Sequence, residues 1–193
     1  MRKKVLLFIP QGTEELELSA FTDVMGWSRI HAKVPIDLIT TSFHSEVQCA
    51  WNLRVLPELA FEDVDVLDFD ALAIPGGFES KGYYQDIYRE EFSELIRAFF
   101  LAKKPIAAIC VAALALGKSG ILQGIPSTTY DLEGGRQEQL AAFGGKIQTQ
   151  RIVVHQNIIT STGPSTALDV AFKLLEILSD KENVALVKKY MRF

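Results

Sequence analysis

The 193-residue chain is short of cysteine and histidine, with only Cys49, Cys110, His31, His44 and His155. Two thiols do not make a disulfide framework, so a reducing, cytoplasmic compartment is expected. The histidines lack metal-ligand spacing, so no metal site is expected and all three are read as surface residues. No histidine is adjacent to Cys110, so no Cys–His dyad is expected and a general base would have to be a carboxylate or water. Long apolar runs are also missing, which argues against a bilayer span. The start, Met1-Arg2-Lys3-Lys4, looks like a basic n-region. The run behind it, Val5 to Ile9, is too short for a signal-peptide core and stops at Pro10.

A basic surplus is lacking too. The 20 Lys and Arg are outnumbered by 24 Asp and Glu, a formal charge of -4, which argues against a nucleic-acid face. Gly134-Gly135-Arg136 has nothing Walker-like around it, and no repeat, linker or low-complexity tract is visible. With 48% hydrophobic and 23% charged residues, the composition excludes disorder. At roughly 150 residues per domain, residues 1–193 are expected to form one domain.

Strand and helix patterns alternate. Apolar runs at Lys4–Pro10, Pro35–Thr40, Ala71–Pro75 and Pro105–Ile109 read as buried strands. Helices are expected over Glu14–Ile30, Glu90–Lys103, Val111–Lys118, Arg136–Phe143, Ser165–Leu178 and Lys181–Tyr190. The first has Thr13 as N-cap and Leu16, Ala20, Val24 and Trp27 at helical spacing. A small hairpin or irregular excursion is expected over Glu46–Val55. Short strands are expected near Thr128 and Ile147, and a hairpin turns at His155-Gln156-Asn157. The stripe Leu168, Phe172, Leu175 and Leu178 reads as core. This alternation implies an α/β sandwich with a mostly parallel central sheet. Ligands then gather beyond the C-terminal strand ends, where Gly12–Glu17, Gly76-Gly77 and Cys110 would meet.

Cys110 is the sharpest feature. It stands at a strand-to-helix junction with Ala108 and Ala112 two positions to either side, the small neighbours that a nucleophile elbow needs. A helix N-terminus also favours thiolate. The competing reading is a buried small hydrophobe. Gly76 and Gly77 would let backbone N–H groups approach an oxyanion together with the Val111 N–H; the plainer reading is a turn. Glu17 could exchange a proton with the sulfur, or it could simply complement the helix dipole. For Glu14 the solvated dipole role is preferred.

Together these residues resemble the ThiJ/PfpI superfamily, most closely its branch containing the Parkinson-disease protein deglycase. The resemblance rests on KVLLFIPQGTEELEL, ALAIPGG, AAICVAALALGKSGIL and IITSTGPSTALDVAFKLLEIL, in that order. It implies a flavodoxin-like three-layer sandwich and a homodimer. It also implies a nucleophilic Cys110, a glutamate, Glu17, bonded to the sulfur, and backbone donors at Gly77 and Val111. Val111 replaces the histidine that follows the cysteine in protease-type members, which makes peptidase or amidase activity less expected. Tyr130 takes the place of a branch histidine in Thr128-Thr129-Tyr130, and Trp51 could line the pocket or a dimer contact.

Two functions are expected from this. One is a cofactor-free, glyoxalase- or deglycase-like enzyme acting on small reactive carbonyls. The other is an oxidative-stress sensor whose Cys110 oxidises to sulfinate without significant turnover.

Overall fold

The computed structural model describes residues 2–132 and 134–193; Met1, part of the basic start, lies outside them. The strands are β1 Lys3–Phe8, β2 Ile36–Ser42, β3 Val47–Gln48, β4 Arg54–Val55, β5 Leu59–Ala60, β6 Ala71–Ile74, β7 Ile106–Ala108, β8 Pro126–Ser127, β9 Lys146–Ile147, β10 Ile152–His155 and β11 Ile158–Ser161. The α-helices are α1 Glu15–His31, α2 Tyr83–Ile87, α3 Glu90–Leu101, α4 Ala113–Lys118, α5 Arg136–Ala142, α6 Ala167–Leu178 and α7 Lys181–Met191.

A seven-stranded sheet runs β10-β11-β7-β6-β1-β2-β5 and is parallel except for the β10–β11 hairpin. The apolar runs explain this arrangement. Val5, Leu6, Leu7 and Phe8 are completely buried, as are Ala71 to Ile74 and Ile106 to Ala108, because helices cover both faces of the sheet. Helices α1, α6 and α7 pack together, while α3 contacts β6, β7, α2 and α4. Phe172, Leu175 and Leu178 are buried in α6 as the stripe predicts. The expected mostly parallel α/β sandwich is therefore present.

Several local readings need correction. Glu14, not Thr13, caps α1: its carboxylate accepts the Glu17 N–H at 2.9 Å, while the Thr13 hydroxyl donates to the Pro10 carbonyl at 2.7 Å. The buried face of α1 is Glu17, Leu18, Ala20, Phe21, Val24, Met25 and Ser28, so Ala20 and Val24 of the expected stripe are inside while Leu16 and Trp27 are exposed. The small hairpin expected over 46–55 does form, as the antiparallel β3–β4 pair outside the main sheet. His44 is not a free surface residue. It lies only part-exposed, with Nε2 2.9 Å from the buried Asp86 carboxylate, which also accepts the Gln11 N–H at 2.9 Å.

The strand order positions the site. Strands β11, β7, β6 and β1 are successive neighbours pointing the same way, so the segments after them emerge side by side. Those segments carry Pro164, Cys110, Gly77 and the Glu14–Glu17 turn. All of them line a cavity of about 760 Å³ at that edge.

Candidate active site

Cys110 follows the end of β7 after the single residue Ile109 and opens a short 3-10 turn, Cys110–Ala112, that leads into α4. Its φ is +57°, a left-handed value that side-chain-bearing residues seldom adopt. Such a backbone costs about 1–2 kcal/mol and persists only where the surroundings enforce it. Here Ala108 and Ala112 are fully buried and leave room for the sharp reversal, and the Thr129 hydroxyl donates to the Cys110 carbonyl at 2.9 Å. The side chain is 9% exposed and borders the cavity, whereas Cys49 is 1% exposed and does not line it. Cys110 thus stands on a sharp left-handed strand-to-helix turn at the border between the core and the cavity.

Glu17 is completely buried one turn into α1. Its Oε2 accepts the Gly76 N–H at 2.6 Å. Its Oε1 has no partner of good geometry and is the oxygen left to the Cys110 thiol, with which the carboxyl interacts. Burial is the main reason that its pKa rises to about 8, and the nearby Glu14 charge adds to the rise. Glu17 therefore carries a proton at neutral pH. With Oε2 committed as an acceptor, that proton belongs on Oε1.

The thiolate expected of a helix N-terminus is not favoured here: burial raises the Cys110 thiol and a charged Glu17 raises it further, outweighing the lowering influence of the Val111 N–H. A protonated Glu17 has no charge to repel a thiolate and can donate to it. The two groups therefore act as a pair that shares protons.

Gly76 is the spacer that permits this contact. A Cβ there would lie 2.7 Å from Glu17 Oε2 and 2.8 Å from Cys110 Cβ. At Gly77 a Cβ would collide with the Tyr83 ring and the Gly12 carbonyl. Tyr83 fixes this turn from beneath by donating its hydroxyl to the Pro75 carbonyl at 2.6 Å. The Gly77 N–H donates to no backbone carbonyl among the described residues, and both Gly77 and Val111 line the cavity.

Tyr130 lines the cavity as expected. Trp51 does not, but its Nε1–H donates to Glu14 at 3.2 Å and its ring meets Phe78 edge-on at 5.1 Å. Glu14 is nearly as buried as Cys110 and forms part of the cavity wall, so its expected solvated role was incomplete. Sequence reasoning missed the opposite wall, built by Glu79, Tyr84 and Arg136. The aromatic cluster of Phe78 to Tyr88 was the available signal for it, but not the fold of that loop.

The cavity's polar lining is the Cys110 thiol, the carboxyls of Glu14, Glu17 and Glu79, the phenols of Tyr84 and Tyr130, the Ser80 hydroxyl, the Arg136 guanidinium and backbone. Among the described residues, no group of three or more His, Cys, Asp or Glu could hold a metal. No described helix is long and apolar enough to cross a membrane.

Residues 3–177 match the model of the DJ-1/PfpI family. The chain is 29% identical over 189 residues to the protein dj-1beta of Drosophila melanogaster, covering 98% of this chain and 96% of that one. It is 27% identical over 203 residues to a protein of Schizosaccharomyces pombe named glutathione-independent glyoxalase DJ-1, covering 96% of each. The crystal structure of Drosophila melanogaster DJ-1beta superimposes with a TM-score of 0.87 at 28% identity, covering 99% of this chain and 98% of the other.

Proposed function

The chain belongs to the DJ-1/PfpI family, and from that membership and the cavity's geometry we propose that it is a cofactor-free thiol enzyme for small reactive carbonyls, of the glyoxalase or deglycase kind. The observation that carries this reading is the pairing of Cys110, on a left-handed elbow, with a buried glutamate that is protonated at neutral pH. The fission-yeast relative's name as a glutathione-independent glyoxalase supports it.

For a 2-oxoaldehyde the steps balance without any outside oxidant. The Cys110 thiol gives its proton to water and its sulfur adds to the aldehyde carbon, forming a C–S bond and sending the carbonyl π pair onto oxygen. The N–H groups of Gly77 and Val111 stabilise that oxygen, which takes the proton carried by Glu17. Glu17, now a carboxylate, removes the hydrogen from the same carbon as the neighbouring ketone oxygen takes a proton from water. Glu17 then returns that proton to the former ketone carbon and takes the proton of the hydroxyl on the sulfur-bearing carbon, leaving a thioester and a protonated Glu17, while the hydroxide left by the water meets the proton the thiol released. Water hydrolyses the thioester, giving a 2-hydroxy acid and the free thiol. The aldehyde carbon is oxidised by two electrons and the ketone carbon is reduced by two. The carboxyl has to switch between acid and base, which a pKa near neutrality allows.

Methylglyoxal turnover in wild type, Cys110→Ala and Glu17→Gln tests this reading. Loss of turnover in both variants is expected; equal turnover in all three would refute it.

One observation favours a second reading. Cys110 borders the open cavity while Cys49 is sealed away from it. Selective oxidation of Cys110, with Glu17 donating to the sulfinate, is therefore also reasonable. Leu16, Trp51, Leu53 and Leu56 are exposed, and the backbone of Trp51 and Leu53 is tied to Glu15 in α1; this supports the expected homodimer.

A further inference from the structure

The cavity wall opposite Glu17 holds a charge arrangement that thiol chemistry does not require. Arg136 is the one cation among the described residues lining the cavity. Its guanidinium lies 4.8 Å from the centroid of the Tyr84 ring, and Nη1 donates to Gln139 at 3.3 Å. Gln139 is anchored in turn by donating to the Tyr88 hydroxyl at 2.9 Å. Stacking and anchoring fix the plane of the guanidinium. The Tyr84 hydroxyl, beside the same cavity, is buried without a hydrogen-bond partner.

The fourth component is Glu79, whose carboxylate takes the Arg136 Nη2–H at 2.7 Å. The two partners are held very differently. The Arg136 side chain is 20% exposed and braced by the Tyr84 ring and Gln139, whereas Glu79 is 68% exposed and lies in a short 3-10 turn. An exposed carboxylate gives up an ion pair at little cost, while the braced guanidinium stays in place. Glu79 thus occupies the position that a ligand carboxylate would take.

Building on the carbonyl chemistry proposed above, we propose that Arg136 determines specificity, and that the preferred substrates are 2-oxoaldehydes bearing a carboxylate that replaces Glu79 on the guanidinium. The aldehyde end reaches Cys110 while the carboxylate meets Arg136, with the Tyr84 hydroxyl as a further donor. A single arginine in a cavity also lined by Glu14 and Glu79 suits one negative charge better than the two of a phosphate.

The test compares two 2-oxoaldehydes of equal chain length, 4,5-dioxopentanoate and the uncharged 2-oxopentanal. The readout is the ratio of their kcat/KM values in wild type, Arg136→Gln, Arg136→Lys and Glu79→Gln. Wild type should prefer the charged substrate. The ratio should fall about 10-fold or more in Arg136→Gln, since a charge-assisted bidentate contact is lost, and less in Arg136→Lys. It should rise in Glu79→Gln, where the competing carboxylate is gone. An unchanged ratio in both Arg136→Gln and Glu79→Gln would overturn the proposal while leaving the thiol chemistry intact. Should neither carbonyl be turned over, calorimetric binding to the Cys110→Ala variant decides it independently. Tighter binding of 2-hydroxyglutarate than of 2-hydroxypentanoate, abolished by adding Arg136→Gln, supports the anion subsite; equal binding overturns it.

Discussion

The two walls of the cavity are built by different physical means. The inner wall, Glu17, Gly76, Cys110 and Val111, hangs from the ends of buried strands and the first turn of α1, and its working parts are set by backbone. A left-handed φ aims the thiol, a missing Cβ admits the carboxyl, and one N–H fixes Oε2. The outer wall, Glu79, Tyr84 and Arg136, comes from a short 3-10 turn and the first turns of α2 and α5, and its order comes from side chains leaning on one another. The inner wall therefore tolerates almost no substitution and suits a fixed reaction. The outer wall can change charge without disturbing the sheet and suits a choice of substrate.

The strongest way to break this contrast is at the nucleophile. Cys110→Ala should reduce carbonyl turnover about 1000-fold or more while the fold is kept, because no other described thiol lines the cavity. A protein that retains turnover would not divide its labour between these walls.

The second effect concerns stability. Glu17 titrates near 4.5 when exposed and near 8 when folded, so between those values the folded state binds the extra proton. Folding stability from this group is fully present below pH 4.5 and is lost as pH rises toward 8, by about 1.4 kcal/mol per pH unit. Glu17→Gln should remove that slope, leaving a variant that is more stable than wild type at pH 8 and less active. Denaturant unfolding at several pH values checks this. Parallel pH profiles for the two proteins would mean that Glu17 is ionised in the fold.

A smaller effect is expected at the spacer. Gly76→Ala should cost about 1–3 kcal/mol through overlap with Glu17 and Cys110, read as a drop in Tm of several degrees with a loss of activity. Substitutions at Arg136 or Glu79 should instead alter the preference between substrates.

The same contrast sets how much of the protein was legible in its sequence. Val5 to Ile9, Ala71 to Ile74 and Ile106 to Ile109 are continuous apolar runs, and burial on both faces leaves strands no other pattern. Ala108 and Ala112 marked the elbow at Cys110, because a sharp turn leaves a steric trace in its neighbours. Glu17 was legible only as a candidate. Local pattern set it between Leu16 and Leu18 without a direction, and the structure buries Glu17 and Leu18 while exposing Leu16. Glu14 reads as a solvated carboxylate until the cap and the Trp51 indole close over it. Helix α2 has five residues, too few for a periodic signal, and β5 has only two. The meeting of Glu79 with Arg136 spans 57 positions and depends on loop paths that no local pattern encodes.

The account depends on a proton held between a buried carboxyl and a thiol. Carbon-13 NMR of the glutamate side-chain carboxyls measures it directly, with the Glu17 resonance assigned by its absence in Glu17→Gln. A titration midpoint near 8 is predicted. A midpoint in the ordinary carboxylate range, near 4.5, would mean that Glu17 is already ionised at neutral pH and would contradict the proton-sharing pair.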